Sequence, residues 1–280
     1  KLKIKQNVLM EHLNYVIKGI SNKNLIPILN CIKFELSDEG LYLMSTDNEI
    51  AIKTFINKKE IEEVEKKGDI VISGRYIYDI IRKLPGELIN IEEVVDNKLS
   101  ISTKHSNFHL NCNNVNEFPS LDLEEHKNPI IMKQRVFKNI INQTSFATSN
   151  QESRPVLTGI NFKIVGTTLE CTATDSYRLA KSIINIDSDL PEDINIIIPT
   201  KNLIELTRLF NDDEENIEMH IFNNKVIFKF GTIVMMSKLI NGTYPDTSKL
   251  IPTEFALSMR VSLNMFFDSI DRASLLTNES

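Results

Sequence analysis

Glycine is scarce. The 280-residue chain has nine, at positions 19, 40, 68, 74, 86, 159, 166, 231 and 242, and the closest pair is six residues apart. No GxG can occur, which excludes a dinucleotide-binding fingerprint and a glycine-rich kinase loop. GxSxG and HExxH are also absent, removing the hydrolase nucleophile elbow and the zincin helix. Tryptophan is missing altogether. No apolar run approaches the ~18 residues of a membrane span, so no membrane partner is expected. The opening Lys1-Leu2-Lys3-Ile4-Lys5 alternates like a strand and lacks a signal-peptide core. The three cysteines, Cys31, Cys112 and Cys171, lie far apart and are odd in number. A reducing cytoplasm fits them better than a disulfide framework does. The formal charge of -6, from 32 Lys+Arg against 38 Asp+Glu, argues against general stickiness toward nucleic acid and leaves local patches open.

What the chain does contain is a copy of itself. Pro27-Ile28-Leu29-Asn30-Cys31-Ile32-Lys33-Phe34 aligns with Pro155-Val156-Leu157-Thr158-Gly159-Ile160-Asn161-Phe162 at an offset of 128. The match runs without a gap to Thr46-Asp47 and Thr174-Asp175, with 7 identities in 21 positions, where about one or two would arise by chance at a fixed period. Downstream the offset becomes 126, so that the segment Gly74 to Arg82 answers Thr200 to Arg208, and Phe118-Pro119 answers Tyr244-Pro245. Residues 1–125 and 129–250 are thus two copies of one module. A third copy is expected to start after Pro252, and the chain ends at Ser280, about 25 residues into it. A truncated piece of a longer protein is the expectation.

Each copy reads as a short strand leading into a helix, then further strands. The first strands are Leu2–Lys5 and Ile130–Lys133. Leu9, Leu13, Val16, Ile17 and Ile20 keep the 3.6-residue period of a helix, as do Phe137, Ile140, Ile141 and Thr144. Alternating strands are expected over Ile28–Leu36, Leu41–Ser45 and Ile50–Ile56. The pattern then repeats within the copy: a strand at Asp69–Ile72, and a helix face of Tyr76, Ile77, Ile80, Ile81 and Leu84 ended by Pro85-Gly86. Strands follow over Leu88–Val95, Lys98–Ser102 and Ser106–Leu110, with a turn at Asp96-Asn97. The fold class expected is therefore α+β, each module a doubled βαβββ unit. Two helices cover one face of antiparallel sheet, because each strand has only one apolar face.

The charge is unevenly placed. The four complete helices carry Lys18, Arg75, Arg82, Lys83, Arg135, Lys138, Lys201 and Arg208 against Glu11, Asp79 and Glu205. Eight bases less three acids is a surplus of five, so a total of -6 leaves about -11 on the rest of the chain. Amphipathic helices simply turning charge outward would give this. So would a basic helical face meeting phosphates on an otherwise acidic body, held by Coulomb attraction and counterion release without base readout. No aromatic platform or zinc-finger spacing points to base reading.

Catalytic chemistry is harder to find. His105 and His109 on one strand would stand about 13 Å apart, too far to share a metal. Asp47 and Asp175 occupy equivalent repeat positions, each after a threonine. They read as strand-end turn residues bonding nearby backbone N–H groups. The alternative, a metal-dependent nuclease or nucleotidyltransferase, would use them as metal ligands. A non-DNA repeat protein such as an adhesin is the third reading. Asp212-Asp213-Glu214-Glu215 is a solvated loop. No catalytic residue, metal or cofactor is assigned.

Thr172-Ala173-Thr174-Asp175-Ser176-Tyr177-Arg178-Leu179-Ala180, with Ser153-Arg154-Pro155-Val156-Leu157-Thr158-Gly159, Gly242-Thr243-Tyr244-Pro245-Asp246 and Leu250-Ile251-Pro252, resembles the bacterial sliding clamp family, the beta subunit of DNA polymerase III. Arg272-Ala273-Ser274-Leu275-Leu276 is similar to the first helix of the family's third domain. The resemblance implies clamp domains at 1–125 and 126–252 and the start of a third at 253–280. It implies a non-catalytic processivity factor for a DNA-directed DNA polymerase, a nucleotidyltransferase holoenzyme. Such a factor is a head-to-tail homodimeric ring, helices inside and sheets outside, that encircles double-stranded DNA in the cytoplasm. The DNA-facing candidates are Lys23, Asn24, Arg75, Arg82, Lys83, Lys138, Arg154, Lys201 and Arg208. The resemblance further implies a cleft for short linear motifs of replicative polymerase, clamp loader and repair proteins, walled by Leu157, Thr174, Ser176, Tyr177, Arg178, Leu179, Pro252 and Leu257. Relatives often have histidine where this chain has Tyr177.

Overall fold

A computed structural model describes residues 1–21, 25–94, 97–125, 128–187, 192–211 and 214–277. The first copy contains β1 (Leu2–Lys5), α1 (Gln6–Val16), β2 (Cys31–Leu36), β3 (Gly40–Thr46), β4 (Ile50–Asn57), β5 (Ile61–Val64), β6 (Gly68–Ser73), α2 (Gly74–Lys83), β7 (Leu88–Val94), β8 (Lys98–Ser102) and β9 (Asn107–Asn113). The second contains β10 (Ile130–Lys133), α3 (Gln134–Thr144), β11 (Gly159–Val165), β12 (Thr168–Thr174), β13 (Leu179–Asn185), β14 (Ile194–Pro199), α4 (Thr200–Thr207), β15 (Asn216–Ile221), β16 (Lys225–Phe230) and β17 (Ile233–Lys238). The chain divides into two compact units, Lys1–Tyr244 and Pro245–Ser280. Taken by itself, the second unit has one helix among its described residues, α5 (Leu263–Ser274), whose Phe266, Phe267 and Ile270 are exposed.

The two copies use one pairing scheme, entirely antiparallel. In the first, β1–β7–β8–β9 and β6–β2–β3–β4 are the neighbours; in the second, β10–β15–β16–β17 and β14–β11–β12–β13. Leu9, Leu13 and Val16 of α1 are buried one helical turn apart, and Phe137, Ile140 and Ile141 do the same for α3. Ile77 and Ile81 of α2 and Leu203 and Leu206 of α4 complete the helix layer over the sheets. Phe137 meets Phe162, Phe210 and Phe228 at centroid distances of 6.4, 6.2 and 5.5 Å, and the core runs through both copies without a break.

Local structure differs from expectation in five places. Pro27–Asn30 is a 3-10 turn, and the strand starts at Cys31. Helix α1 stops at Val16, with Ile17–Gly19 tightening into 3-10 geometry, so Lys18 sits beyond the helix proper. Arg208 likewise caps α4 and is not within it. His105 lies in a bend ahead of β9 while His109 is within β9, so the two do not share a strand. Strand β5, pairing with β1, was not expected; its polar Glu62-Glu63 interrupts the alternation that would have announced it. Asp96, half of the expected turn, and Asp212-Asp213 lie outside the described residues.

The Thr-Asp turns are duplicated atom for atom. Asp47 Oδ1 accepts from the Glu49 and Ile50 N–H groups, each at 2.9 Å. Asp175 Oδ1 accepts from those of Tyr177 and Arg178, each at 3.0 Å. The threonines before them, Thr46 and Thr174, donate to Ile50 O and Arg178 O, both at 2.7 Å. Asn48 and Ser176 adopt left-handed φ values of 76° and 78°, a conformation these short polar side chains tolerate. Both aspartates are therefore turn residues, as the repeat pattern predicts. A second duplicated joint gave no sequence signal: the Gln6 N–H donates to Glu87 O (3.0 Å) and the Gln134 N–H to Glu215 O (2.8 Å), tying the first helix of each copy to the chain before β7 or β15.

The copies are welded edge to edge. Strand β17 pairs with β4 from Ile233↔Thr54 to Ser237↔Ile50, so thirteen strands form one continuous sheet. Polar side chains line this seam. His12 Nδ1 lies 2.7 Å from Thr54 Oγ1, which is 3.4 Å from Thr232 Oγ1. Tyr15 donates to Glu11 (3.0 Å) and meets the Asn211 amide, and Lys18 Nζ donates to Arg208 O at 2.6 Å. Burial holds the His12 imidazole below its ordinary pKa, with Glu11 and Glu60 opposing weakly.

Two outcomes follow for thermal unfolding. Asp47→Ala and Asp175→Ala should each lower stability by about 1 kcal/mol, because two turn N–H groups lose their acceptor. For His12, the folded imidazole resists a proton that the unfolded one accepts, so its contribution is present above about pH 6.5 and is lost as pH falls. The parent should weaken between pH 7 and 5 more steeply than His12→Gln, which starts about 1 kcal/mol lower. Parallel slopes would contradict this.

Candidate nucleic-acid and partner-binding surfaces

The basic residues expected to meet phosphate stand on the helix layer. Arg75, Arg82 and Lys83 are exposed on α2, Lys201 is exposed at the start of α4, and Lys138 is half-buried on α3. Lys23 and Asn24 lie outside the described residues. Lys18, Lys201 and Arg208 line one open depression with Ser21, Asp47 and Asn202, so the structure gathers cations from both copies at one point. Lys18 was counted among the basic helix residues but not among the DNA-facing candidates, and its contact with Arg208 O, 190 positions away, has no local signature. Desolvation lowers its ammonium pKa, opposed by Glu205.

Not every expected cation stands alone. Arg82 bonds Asp79 at 3.1 Å and sits 5.7 Å from the Tyr78 ring centre. Arg208 pairs with Glu205. Arg154, read as a DNA contact, donates to Ser176 Oγ at 3.2 Å and so belongs beside the second Thr-Asp turn.

That turn collects most of the expected cleft residues. Thr174 is buried, and its N–H donates to the Tyr244 hydroxyl at 2.9 Å. Burial pushes the Tyr244 phenol up to about 12. Tyr244 packs with buried Leu157 and Ile197. Above them Ser176 and Arg178 are exposed, Tyr177 is 98% exposed, and Leu179 is half-buried at the start of β13. Arg178 bonds Asp175 Oδ2 at 3.0 Å and lies 5.8 Å from the ring centre of exposed Phe146. The two N–H groups of the turn, then the Arg178 guanidinium, hold the Asp175 carboxyl below its usual pKa. Phe146 is a further exposed aromatic here that periodicity did not single out. Pro252 and Leu257 are exposed residues of the second unit.

For metal chemistry the arrangement offers little. Asp47 and Asp175 each bind backbone N–H groups, which removes them as a metal pair. Among the described residues, Glu125, Glu218 and His220 hold donor atoms within 4.8 Å of one another. Lys229 Nζ already lies 2.8 Å from Glu125 Oε2 and faces Glu218 across the ladder. The bond to Glu125 raises the lysine's pKa, so this acidic group already holds a cation of the chain's own.

Comparison with known proteins agrees with this geometry. The N-terminal domain family of the DNA polymerase III beta subunit matches residues 1–122, and its central domain family matches residues 131–246. The beta sliding clamp of Staphylococcus aureus is 37% identical over 280 residues, covering 99% of this chain and 74% of that protein. That of Staphylococcus epidermidis is 38% identical with the same coverage. The DNA polymerase sliding clamp of Bacillus subtilis superposes with a TM-score of 0.93 at 36% identity, covering 100% of this chain and 74% of that one. The beta subunit of Streptococcus pyogenes DNA polymerase gives 0.92 at 31%, covering 100% and 75%. With the duplicated module, the shared strand order and these matches in hand, the chain belongs to the family of bacterial sliding clamps, the beta subunits of DNA polymerase III.

Proposed function

We propose that the chain encircles duplex DNA within a head-to-tail homodimeric ring and tethers replicative polymerase, clamp loader and repair proteins there. As a sliding clamp it is a processivity factor for DNA polymerase and not itself an enzyme; the nuclease reading finds no support. The observation that carries the ring is the β17–β4 seam. Within the repeat, β9 corresponds to β17 and β13 to β4. Over 107–111 the far edge of β9 has no strand partner among the described residues, and neither has the far edge of β13. An open edge is a template for another strand. A third module adding to β13, and the partner's third module adding to β9, would repeat the same weld until the ring closes. In this reading the domains run 1–125, 126–252 and onward from 253.

Arg75, Arg82, Lys83, Lys138, Lys201 and Arg208 then supply diffuse phosphate attraction, which suits sliding because it reads no sequence. An acidic remainder disfavours DNA on the outer wall. The site of action is the cytoplasm, on replicating DNA; among the described residues no helix is long and apolar enough to cross a membrane. Arg154 is better placed to support the second Thr-Asp turn than to grip DNA. Leu157, Thr174, Ser176, Tyr177, Arg178 and Leu179 are proposed to line the motif-binding cleft.

Loaded protein should remain on closed circular duplex and be lost once the circle is cut; equal retention on both would contradict encirclement. Leu179→Glu should weaken binding of polymerase-derived linear peptides at least tenfold. Burying an unpaired carboxylate would offset an apolar gain of roughly 25 cal/mol per Å². Leu179 is only half-buried, so the variant should melt within a few degrees of the parent. A variant that melts like the parent and still binds peptide would refute the cleft assignment.

A further inference from the structure

The second helix of each copy carries the same charge pair at the same place. On α2, Asp79 bonds Arg82; on α4, Glu205 bonds Arg208. The two pairs stand at the 126-residue offset that relates these helices. Across that nine-residue alignment only the arginine is identical, yet the acid three positions earlier persists as Asp or Glu. The first helices lack the arrangement. On α3, Arg135 bonds Glu214 outside the helix, and on α1 Glu11 accepts from Tyr15. All four paired side chains keep solvent access, and an exposed pair of this kind adds little to helix stability.

We infer that Asp79 and Glu205 are attenuators of the DNA-facing surface. Each holds its arginine as a neutral pair, so the guanidinium must share or release a carboxylate before it can bond a phosphate. A ring that must move along DNA requires many weak attractions, and two unopposed arginines per chain would deepen each resting position. The inference rests on the DNA-facing reading of α2 and α4 above.

The test measures the salt dependence of association with linear duplex, and diffusion along it, for the parent, Asp79→Asn, Glu205→Gln and the double variant. Arg82→Glu with Arg208→Glu runs alongside. At roughly 0.9 of log–log slope per phosphate contact, the double neutral variant should steepen the slope by up to about 2 per chain. It should bind on the order of tenfold tighter at low salt, diffuse more slowly and melt within a few degrees of the parent. The arginine reversals should weaken binding. If the reversals leave binding unchanged, α2 and α4 do not face DNA and the reading beneath the inference fails. If the reversals weaken binding while the neutral variants leave slope and diffusion unchanged, or bind more weakly, attenuation is refuted.

Discussion

The antiparallel ladder between β17 and β4 is the contact on which the rest of the structure depends. Without this ladder, β4 of the first copy and β17 of the second would each leave a sheet edge unpaired, and such edges recruit further strands. Joining edge to edge satisfies those backbone groups. It also fixes the register between copies to the residue, since a slip of one position would turn every side chain of the strand to the wrong face. The helix layers are carried along with the sheets. Tyr15 therefore reaches Asn211 and Lys18 reaches the carbonyl of Arg208, although these partners lie nearly two hundred residues apart. The depression that gathers Lys18, Lys201 and Arg208 exists only because the seam brings α4 beside the end of α1.

The seam is polar where an ordinary core is not. His12, Thr54 and Thr232 form a short chain of contacts under the helices, and all of it must be satisfied to be tolerated away from water. Hydrogen bonds of this kind add directionality to an interface that apolar packing alone would leave free to slide. The same logic governs the two Thr-Asp turns, where one carboxylate oxygen orients two N–H groups. In the first copy the turn flanks the seam. In the second it presents Tyr177 and Arg178 outward, so the duplicated turn has different surroundings in its two copies.

Much of this was legible in the sequence, and the parts that were not share a cause. The repeat, the helix faces and the turn role of Asp47 and Asp175 are carried by neighbouring residues, so period and residue type reveal them. The β17–β4 pairing, the Gln6–Glu87 and Gln134–Glu215 joints and the place of Lys18 depend on contacts over long chain separations, which leave no local pattern. Strand β5 escaped because its edge position lets Glu62 and Glu63 face water. The basic helices were recognisable as a group. Which cations are already paired was not, because Arg154 finds Ser176 only after folding. The proposed cleft rests on family motifs; apolar residues such as Leu157 and Leu179 fit a core equally well, and burial alone separates them, with Leu157 inside and Leu179 at the margin.

In the proposed ring, one strand-to-strand weld is repeated from module to module. Native-state hydrogen exchange of the seam amides, Ile50–Thr54 on β4 and Ile233–Ser237 on β17, tests it most directly. Protection comparable to that of β11 and β12 inside the second copy is expected, because the seam opens only when the whole unit does. Fast exchange at the seam, with β11 and β12 still protected, would show two modules merely touching and would rule out a weld.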